Sequence, residues 1–361
     1  PRGRIYLIKD MLEQGEVSAV ASEHLDRCLT CRACETTCPS GVAYGELLEI
    51  GRNYLEANRT RSFTERFVRN WLLRVVPNPK SFAFWISLGR LAKPFLSDRL
   101  KRQLPAKAKP NQTPMPEVGE PVGTVLLLDG CVQRTATPGV NDSLERLLAS
   151  RQVKVLRAKD EVCCGGLALH LGEEAVGMRT MAAGLDALSP MLDEVDAVIS
   201  TASGCGVTLK DYGRLLASDE ERKERANLLA QKVLDAGEFL AGLGGEWARS
   251  EAATKVAVHT PCTLQHGQRQ GNHPKDILRR AGYELVPTRD DLTCCGSAGS
   301  YALLQSELSE QLGSNKVAAL TGAQPEVIAT ANVGCQMHLG GQADVPVRHW
   351  LELLAPAEAQ Q

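Results

Sequence analysis

The chain has 361 residues, of which 43% are hydrophobic and 23% charged, and this composition excludes a disordered or fibrous protein. The net charge of −2 argues against general nucleic-acid binding, and the longest apolar run, around residues 122–128, is too short to span a membrane. Twelve cysteines, with no export leader before them, predict a cytoplasmic protein whose thiols bind metal or carry redox chemistry.

A ferredoxin-type cysteine motif comes first along the chain. Cys28, Cys31, Cys34 and Cys38, followed by Pro39, form the pattern C-x2-C-x2-C-x3-C-P. Three thiolates at a spacing of three residues can surround one [4Fe–4S] cubane, and the proline ends the local turn. A zinc site would not need four cysteines so close together. The motif therefore predicts an iron–sulfur cluster bound by these cysteines.

The surroundings of this motif leave the role of Cys38 open. In two-cluster ferredoxins the fourth cysteine belongs to the other cluster, yet the residues before Cys28 contain no cysteine. Either Cys38 completes the local cluster or an upstream motif is missing, as the start at Pro1 instead of Met leads us to expect. Residues 4–13 and 44–56 have helical spacing. We therefore predict a helical ferredoxin-type module over residues 1–58.

The segment that follows is strongly basic and rich in aromatic rings. From Arg59 to Lys109 there are thirteen Lys or Arg against two acids, so this segment carries +11 and the remainder of the chain −13. Two groups share helical spacing: Phe67, Trp71, Arg74 and Val75, then Phe82, Trp85, Ile86, Leu88, Arg90 and Lys93. Short cationic aromatic helices are typical of anionic membrane surfaces. Packing against the protein's own domains, or against an acidic partner, is the alternative.

A duplicated cysteine pattern fills the second half of the chain. Each copy reads Cys…Cys-Cys-Gly…Cys, with a first gap of 32 positions in both. The copies contain Cys131, Cys163, Cys164 and Cys205, and Cys262, Cys294, Cys295 and Cys335. Because a proline-rich run at residues 105–121 precedes the first copy, we assign 59–121 to the basic segment and a linker. The repeats are then 122–246 and 247–361.

Strand and helix patterns alternate in both copies. The predicted strands are 124–129, 154–157, 197–201, 255–258, 284–286 and 327–330, and the predicted helices are 139–149, 173–188, 275–281, 304–320 and one from residue 207. This alternation predicts two α/β domains with small parallel sheets. Since the carboxyl ends of parallel strands meet at one edge, we expect the four thiols of each repeat to surround one centre. We expect the glycine after each Cys-Cys pair to let the backbone approach a bulky inorganic group.

The repeat thiols allow three interpretations. Buried cysteines can be small apolar side chains, but this explains poorly why eight of them occupy duplicated positions. Structural zinc fits the ligand number. A further iron–sulfur cluster is favoured, because the chain already has a ferredoxin-type motif. No G-x-G-x-x-G follows a strand and no G-x-S-x-G is present, so we predict neither a nucleotide site nor a catalytic residue.

Strings along essentially the whole chain resemble the family of cysteine-rich electron-transfer subunits. They are Pro1-Arg-Gly-Arg-Ile-Tyr-Leu-Ile-Lys9, His24-Leu-Asp-Arg-Cys-Leu-Thr-Cys-Arg32, Glu35-Thr-Thr-Cys-Pro-Ser-Gly-Val42, Thr201-Ala-Ser-Gly-Cys-Gly206, Pro261-Cys-Thr-Leu-Gln-His266, Cys294-Cys-Gly-Ser-Ala-Gly299 and Arg348-His-Trp350. The family includes iron–sulfur subunits of glycolate oxidase, to which the chain is most similar, C subunits of anaerobic glycerol-3-phosphate dehydrogenase and B subunits of heterodisulfide reductase. In the glycolate oxidase type a first four-cysteine motif precedes the Pro-Arg-Gly-Arg string.

The resemblance implies an electron-relay function. A partner subunit with FAD would oxidise a 2-hydroxy acid such as glycolate to glyoxylate, and this chain would pass the electrons singly to a membrane quinone. Such a role implies peripheral attachment to the cytoplasmic face of the inner membrane as the alternative to a free cytoplasmic protein. A thiol/disulfide reductase, a subunit of the glycerol-3-phosphate dehydrogenase type and a zinc-stabilised scaffold are the other functions to weigh.

One departure from the family pattern bears on these alternatives. Heterodisulfide reductase subunits place a second cysteine three residues after the last cysteine of each repeat, and this chain has Thr208 and His338 there. The departure argues against disulfide reduction, although His338 could ligate through a ring nitrogen.

Overall fold

The computed structural model describes residues 1–96, 101, 104–105, 115–250 and 252–356. In these ranges a helical amino-terminal region precedes two α/β units with parallel sheets. The predicted fold class is therefore confirmed: a helical ferredoxin-type module is followed by two duplicated α/β Cys-Cys-Gly domains. The predicted linker, and the end of the basic segment, lie partly outside the described residues.

The amino-terminal region is a helical bundle around a small apolar core. Its helices are α1 (Arg2–Gln14), α2 (Ala19–Asp26), α3 (Ala33–Thr36) and α4 (Tyr44–Asn58). The core contains Ile8, Met11, Leu25, Leu48 and Leu55. Gly51 lets α1 and α4 cross closely, since a Cβ there would lie 2.8 Å from Ile8 Cγ1. This packing holds both ends of the cysteine loop, which runs from α2 to α4.

Two further helices, called the aromatic helix pair below, are α5 (Phe63–Val75) and α6 (Pro79–Leu91). A capping box of Ser62 and Glu65 begins α5, while the side chain of Asn78 caps α6. The rings of Trp71 and Trp85 meet edge to face, with centroids 5.5 Å apart. Helix α5 buries Leu72 and Val75, whereas every side chain of α6 keeps part of its surface exposed.

The first repeat contains a four-stranded parallel sheet in the order β2–β1–β3–β4. Its strands are β1 (Gly123–Leu127), β2 (Val153–Leu156), β3 (Ala197–Ser200) and β4 (Val233–Asp235), and a separate strand, β5 (Trp247–Arg249), follows. Its helices are Gln133–Ala136, Gly139–Ala149, Gly166–His170, Glu174–Leu188, Ser203–Lys210, Tyr212–Leu215, Lys223–Lys232 and Ala236–Leu243. All four residues of β3 are buried, as expected for a parallel strand covered on both faces.

The second repeat has the same topology, with the order β7–β6–β8–β9. Its strands are β6 (Lys255–His259), β7 (Glu284–Leu285), β8 (Val327–Thr330) and β9 (Val347–His349). Its helices are a π-helix at Thr263–Gln268, then His273–Arg280, Tyr301–Leu304, Ser306–Thr321 and Val333–Gly340, and a 3-10 turn at Trp350–Leu353. The sequence repeat is thus also a structural repeat.

The two repeats share one apolar core. Val125 and Leu127 of β1 belong to the same buried cluster as Val256 and Val258 of β6. The last strand, β10 (Leu354–Pro356), pairs antiparallel with β5, so the end of the second repeat is hydrogen-bonded to the segment that connects the two sheets. The two repeats are therefore packed against each other through this core.

The observed elements match the predicted ones in type and differ in their ends and number. Strand β1 ends at Leu127 instead of residue 129, and the helix predicted from residue 207 begins at Ser203. The edge strands β4 and β9 were not predicted. Each has only three residues, which is too short to show the alternation that identifies a strand.

Candidate metal centres

The ferredoxin-type cysteines occupy a strained loop between α2 and α4. Cys28 lies just after α2, Cys31 in the loop, Cys34 in α3 and Cys38 beyond it. Thr30 and Arg32 have positive φ angles of 55° and 57°. The left-handed conformation costs a residue other than glycine about 1–2 kcal/mol. Strain of this kind persists only where the surroundings hold it, and it clusters at functional sites.

Arg52 of α4 holds this loop in place. Its buried guanidinium donates hydrogen bonds to Leu25 O at 3.0 Å, to Cys28 O at 2.7 Å and to Thr30 Oγ1 at 2.9 Å. Tyr44, also on α4, donates its hydroxyl to Cys28 Sγ at 3.6 Å. The loop acceptors are thus tied to a rigid helix, which fixes the side from which the thiols approach one another.

Three of the four thiols of this motif influence one another. Burial raises the pKa of Cys31 to about 11, with further contributions from the thiols of Cys28 and Cys34. Burial and the thiol of Cys28 likewise raise the pKa of Cys34. Cys38 has a different environment, because hydrogen bonds from backbone N–H groups, that of Val42 foremost, lower its pKa. The structure groups the first three cysteines and leaves the role of Cys38 a prediction.

The four thiols of the first repeat meet beyond the carboxyl ends of β1 and β3. The Sγ atoms of Cys131 and Cys163 are 3.6 Å apart. Cys164 is in hydrogen-bonding contact with both Cys163 and Cys205. The sulfurs therefore form one continuous chain of contacts. Metal binding by these four sulfurs stays a prediction. A shared metal centre requires thiols from separate loops to converge, and this arrangement meets that requirement.

Polar groups fix the loops that carry the thiols of the first repeat. The carboxylate of Glu161 accepts hydrogen bonds from the backbone N–H groups of Asp129 at 2.6 Å and Gly130 at 2.8 Å, directly before Cys131. Tyr212 donates its hydroxyl to Cys164 O at 3.2 Å. These contacts tie the loops that carry the thiols to neighbouring elements.

The second repeat gathers its thiols in the same way. The Sγ atoms of Cys262 and Cys294 are 3.9 Å apart, and Cys295 contacts both Cys294 and Cys335. The N–H of Gly296 donates to Cys294 Sγ at 3.4 Å. The side-chain amide of Asn332, the N-cap residue of the helix Val333–Gly340, donates to Cys335 Sγ at 3.5 Å. Such N–H donors stabilise sulfur when it carries negative charge.

A histidine lies among the thiols of the second repeat. A ring nitrogen of His259, the last residue of β6, and the Sγ atoms of Cys295 and Cys335 all lie within 4.8 Å of one another. Burial lowers the pKa of His259 to about 3, so its ring is neutral. The sequence analysis did not identify this residue. Its signal is positional: His259 stands three residues before Cys262, where the first repeat has the apolar Leu128.

Two thiols of the first repeat, those of Cys163 and Cys205, are uncharged in the absence of a cation, whereas hydrogen bonding from Cys262 holds the pKa of Cys294 in the second repeat well below its usual value. Hydrogen bonding of the Cys163 thiol to Cys131, together with burial, holds the pKa of Cys163 well above its usual value, and hydrogen bonding to Cys164 and burial do the same for Cys205. A metal ion would supply the positive charge that holds such groups as thiolates. Clustered sulfur donors fit soft or borderline metals, iron in clusters and zinc among them. The donor set therefore fits an iron–sulfur centre.

The glycine after each Cys-Cys pair is required by the protein's own packing. Gly165 and Gly296 have φ angles of 78° and 89°. A Cβ on Gly165 would lie 2.8 Å from Met181 Cγ, and one on Gly296 would lie 2.7 Å from Ser309 O. Each glycine thus approaches a helix of the protein closely, and its approach to an inorganic group stays a prediction. The glycines let the Cys-Cys turn pack beneath that helix.

The two positions that lack a family cysteine make contacts of their own. Thr208 Oγ1 donates to Gly204 O at 3.2 Å. His338 Nε2 lies 3.2 Å from both Ser309 O and Gln342 Nε2. These contacts engage Nε2 of His338 and tie the ring to the helix Ser306–Thr321.

The ferredoxin-type loop contacts both repeats. Arg32 forms an ion pair of 2.6 Å with Asp211 of the first repeat. Thr36 Oγ1 lies 2.7 Å from Nδ1 of His266, which is in the π-helix of the second repeat. The loop is therefore seated at the junction of the two α/β units.

The ferredoxin-type thiols lie beside the thiols of the second repeat. The thiol of Cys294 contributes to the raised pKa of Cys31, and that of Cys31 contributes to the raised pKa of Cys262, which is dominated by hydrogen bonding to Cys294 and burial. The pKa of Tyr301 is raised by burial, then by Cys294, with a smaller contribution from Cys28. A charge on the ferredoxin-type thiols therefore interacts electrostatically with the thiols of the second repeat.

Comparison with known proteins agrees with this architecture. Residues 125–210 and 256–340 match the family model of the cysteine-rich domain, CCG. The chain is 41% identical to the glycolate oxidase iron–sulfur subunit of Escherichia coli (strain K12), over 99% of this chain and 88% of the relative. It is 30% identical to the probable glycolate oxidase iron–sulfur subunit of Bacillus subtilis (strain 168), over 94% and 83%. It is 29% identical to one of the subunits of the fumarate reductase (CoM/CoB) of Methanothermobacter marburgensis, over 62% and 44%.

The duplicated sheets, the converging thiols and these matches define a protein with two cysteine-rich domains behind a ferredoxin-type module. The chain belongs to the family of glycolate oxidase iron–sulfur subunits. Among the helices of the described residues, none combines the length and the apolar content needed to cross a bilayer.

Proposed function

We propose that this chain is the electron-relay subunit of a 2-hydroxy-acid oxidase. It takes electrons from a flavin subunit that oxidises glycolate to glyoxylate, and passes them toward a quinone. The observation that carries this proposal is the arrangement of the twelve cysteines, in three sets, with the ferredoxin-type set beside that of the second repeat. Iron–sulfur clusters supply one-electron transfer when bound to thiolates. The relatives named as glycolate oxidase subunits support the substrate.

The proposed ligands fall into two kinds. Cys28, Cys31, Cys34 and Cys38 would hold a [4Fe–4S] cluster. Cys131, Cys163, Cys164 and Cys205, and Cys262, Cys294, Cys295 and Cys335, would hold further iron–sulfur clusters, with zinc as the alternative. At the ferredoxin-type site, Arg52 lies against the loop that carries the cysteines, and its positive charge would offset the negative charge of the thiolates.

A first experiment tests the ferredoxin-type site in the full chain. We expect Cys31→Ser to lose about four iron atoms per chain and the matching visible absorption, while Thr37→Ser, in the same loop, keeps both. Cys38→Ser should cost less iron than Cys31→Ser. Unchanged iron and spectrum in Cys31→Ser would contradict the assignment. Zinc with no iron or acid-labile sulfide would support the scaffold function instead.

A second experiment separates electron relay from thiol/disulfide reduction. The purified complex with its flavin subunit should reduce a soluble quinone when glycolate is added. With Cys31→Ser this reaction should fall more than tenfold, whereas dye reduction directly at the flavin subunit should continue. If the complex instead reduces a disulfide with glycolate, and quinone reduction is unaffected by Cys31→Ser, the relay proposal fails.

The basic segment is only partly free to meet a membrane. Arg61 pairs with Asp26 at 2.9 Å, and Arg69 lies 3.2 Å from both Asp26 and Glu56. Leu72 is buried as well. A share of the positive charge and of the apolar surface therefore serves the internal packing that was the alternative to membrane contact.

The remaining surface of the aromatic helix pair supports peripheral membrane attachment. Phe63, Phe67 and Phe84 are 84%, 62% and 62% exposed, and cations such as Arg66 and Lys80 lie on the same helices. Aromatic rings enter the headgroup layer, and Lys or Arg attract anionic lipid. We therefore propose that this surface docks on the cytoplasmic face of the inner membrane, where a quinone is accessible.

Vesicle co-sedimentation tests this docking. The wild-type chain should pellet with vesicles containing phosphatidylglycerol at low salt and less well at moderate salt, because screening weakens the electrostatic part. Phe67→Ser/Phe84→Ser should reduce the bound fraction severalfold. Tyr6→Ser/Leu12→Ser, which removes comparably exposed apolar groups from α1, should not. If neither protein binds vesicles but Phe67→Ser/Phe84→Ser loses the flavin subunit, the surface is a subunit contact.

A further inference from the structure

The two repeats differ at the carboxyl end of their central strands. In the second repeat His259 ends β6 and stands with Cys295 and Cys335, all three buried, with their donor atoms within 4.8 Å of one another. In the first repeat the equivalent position, three residues before the first cysteine, is Leu128, which is 7% exposed. The first repeat thus offers sulfur alone at this place, and the second offers sulfur and nitrogen.

The ring of His259 is oriented by a neighbour. Its Nδ1 lies 2.9 Å from the hydroxyl oxygen of Thr330, and both residues are buried. In metal sites the ligating histidine commonly has one ring nitrogen engaged by a polar group, which fixes the tautomer and turns the other nitrogen toward the metal. Because Thr330 engages Nδ1, Nε2 is the nitrogen that remains for a metal.

His338, another buried histidine of the second repeat, is a weaker candidate. His338 Nε2 lies 3.2 Å from Ser309 O and from Gln342 Nε2. The stronger ground for preferring His259 is position. Among the described residues, a ring nitrogen of His259 is grouped with the sulfurs of Cys295 and Cys335, and no nitrogen of His338 belongs to such a group.

We propose that His259 is a nitrogen ligand of the metal centre in the second repeat, so that this centre is bound by imidazole and thiolates while that of the first repeat is bound by thiolates only. The proposal rests on the proposed function, in that it requires a metal centre in the repeats. It also gives the two centres different properties. A neutral imidazole among the ligands raises the reduction potential of an iron–sulfur centre relative to an all-thiolate one. The second repeat would therefore be the more readily reduced of the two.

The test uses the full chain, labelled with ¹⁵N only at histidine and reduced for electron–nuclear double resonance. We expect a strong histidine-nitrogen coupling in the wild type. It should disappear in His259→Leu, which copies the first repeat, and persist in His338→Gln. Loss of the coupling in His338→Gln alone, or no such coupling in a wild type that contains repeat-bound iron, would overturn the proposal.

Two further variants keep the test decisive if His259→Leu folds poorly. His259→Cys should retain iron, because it supplies sulfur at the same place, and should lose the nitrogen coupling. Leu128→His should add a second coupling, from the first repeat. Retention of the coupling in His259→Cys would overturn the proposal. If Cys295→Ser/Cys335→Ser leaves the metal content unchanged, the fault lies instead with the proposed function, since the repeat then holds no metal.

Discussion

At the scale of single residues, the ferredoxin-type loop depends on one buried arginine. The turn containing Thr30 and Arg32 has two left-handed residues that are not glycine, so its conformation is costly in isolation. Arg52 compensates by donating to Leu25 O, Cys28 O and Thr30 Oγ1 from a helix that is itself packed in the core. A lysine could not reproduce this, because it lacks the planar fork of donors.

Replacing Arg52 with methionine should therefore loosen the loop. Each buried acceptor left without a donor costs about 1–3 kcal/mol. We therefore expect a lower unfolding temperature and at least a twofold loss of iron from the ferredoxin-type site. Iron analysis and visible absorption of Arg52→Met measure this. Arg222→Met, which removes a surface arginine paired with Asp186, is the matched control. Equal iron contents in the two variants would show that Arg52 does not hold the loop.

At the scale of elements, the sequence predicted the two repeats and their parallel sheets, but it did not predict the short edge strands or the left-handed turn. The duplicated cysteine spacing and the strand–helix alternation predicted two parallel sheets, because both signals are local and periodic. The strands β4 and β9 escaped prediction since three residues carry no period. His259 escaped because a lone histidine in an apolar strand is informative only once the repeats are superposed. The left-handed turn at Thr30 had no signal, because it depends on the distant Arg52.

The glycines after the Cys-Cys pairs allow a prediction about these turns. Gly296→Ala should destabilise the chain through its left-handed backbone and through contact of the new Cβ with Ser309 O. Gly282→Ala is the matched control, since Gly282 has a φ of 92° but open space around its Cβ position. We expect Gly296→Ala to cost about 1–3 kcal/mol more than the control, and to lower metal content in the second repeat. Equal shifts in unfolding temperature would contradict this.

At the scale of the whole molecule, the junctions between the units unite the three thiol sets. The ferredoxin-type loop contacts Asp211 in one repeat and His266 in the other. The repeats in turn share a core, and β10 pairs with β5 in the segment that connects the two sheets. His349 of β9 reaches across as well, with Nε2 3.0 Å from Thr201 O and Nδ1 accepting a hydrogen bond of 3.4 Å from the N–H of Leu351. This pair of contacts requires the neutral ring.

The stability of the joined repeats should accordingly depend on pH through His349. Burial lowers the pKa of His349 to about 4 in the folded chain, against about 6.5 for an unfolded histidine. Between these values the unfolded state binds a proton that the folded state excludes, so stability falls as the pH falls through this window. The full effect of this residue is about 3 kcal/mol, and about 2 kcal/mol of it is reached at pH 5.

Urea unfolding of the holoprotein at pH 7, 6 and 5 measures this effect when wild type is compared with His349→Gln. Glutamine cannot take up a proton here, so the variant should be less stable at pH 7, and its deficit should shrink toward pH 5. The difference in unfolding free energy between the two proteins removes the contributions of other titrating groups. A second control, His24→Gln, replaces an exposed histidine of α2 and shows the effect of losing a histidine outside the junction. A deficit that stays constant from pH 7 to pH 5 would show that the junction does not respond to His349, and that the repeats are held together by apolar burial.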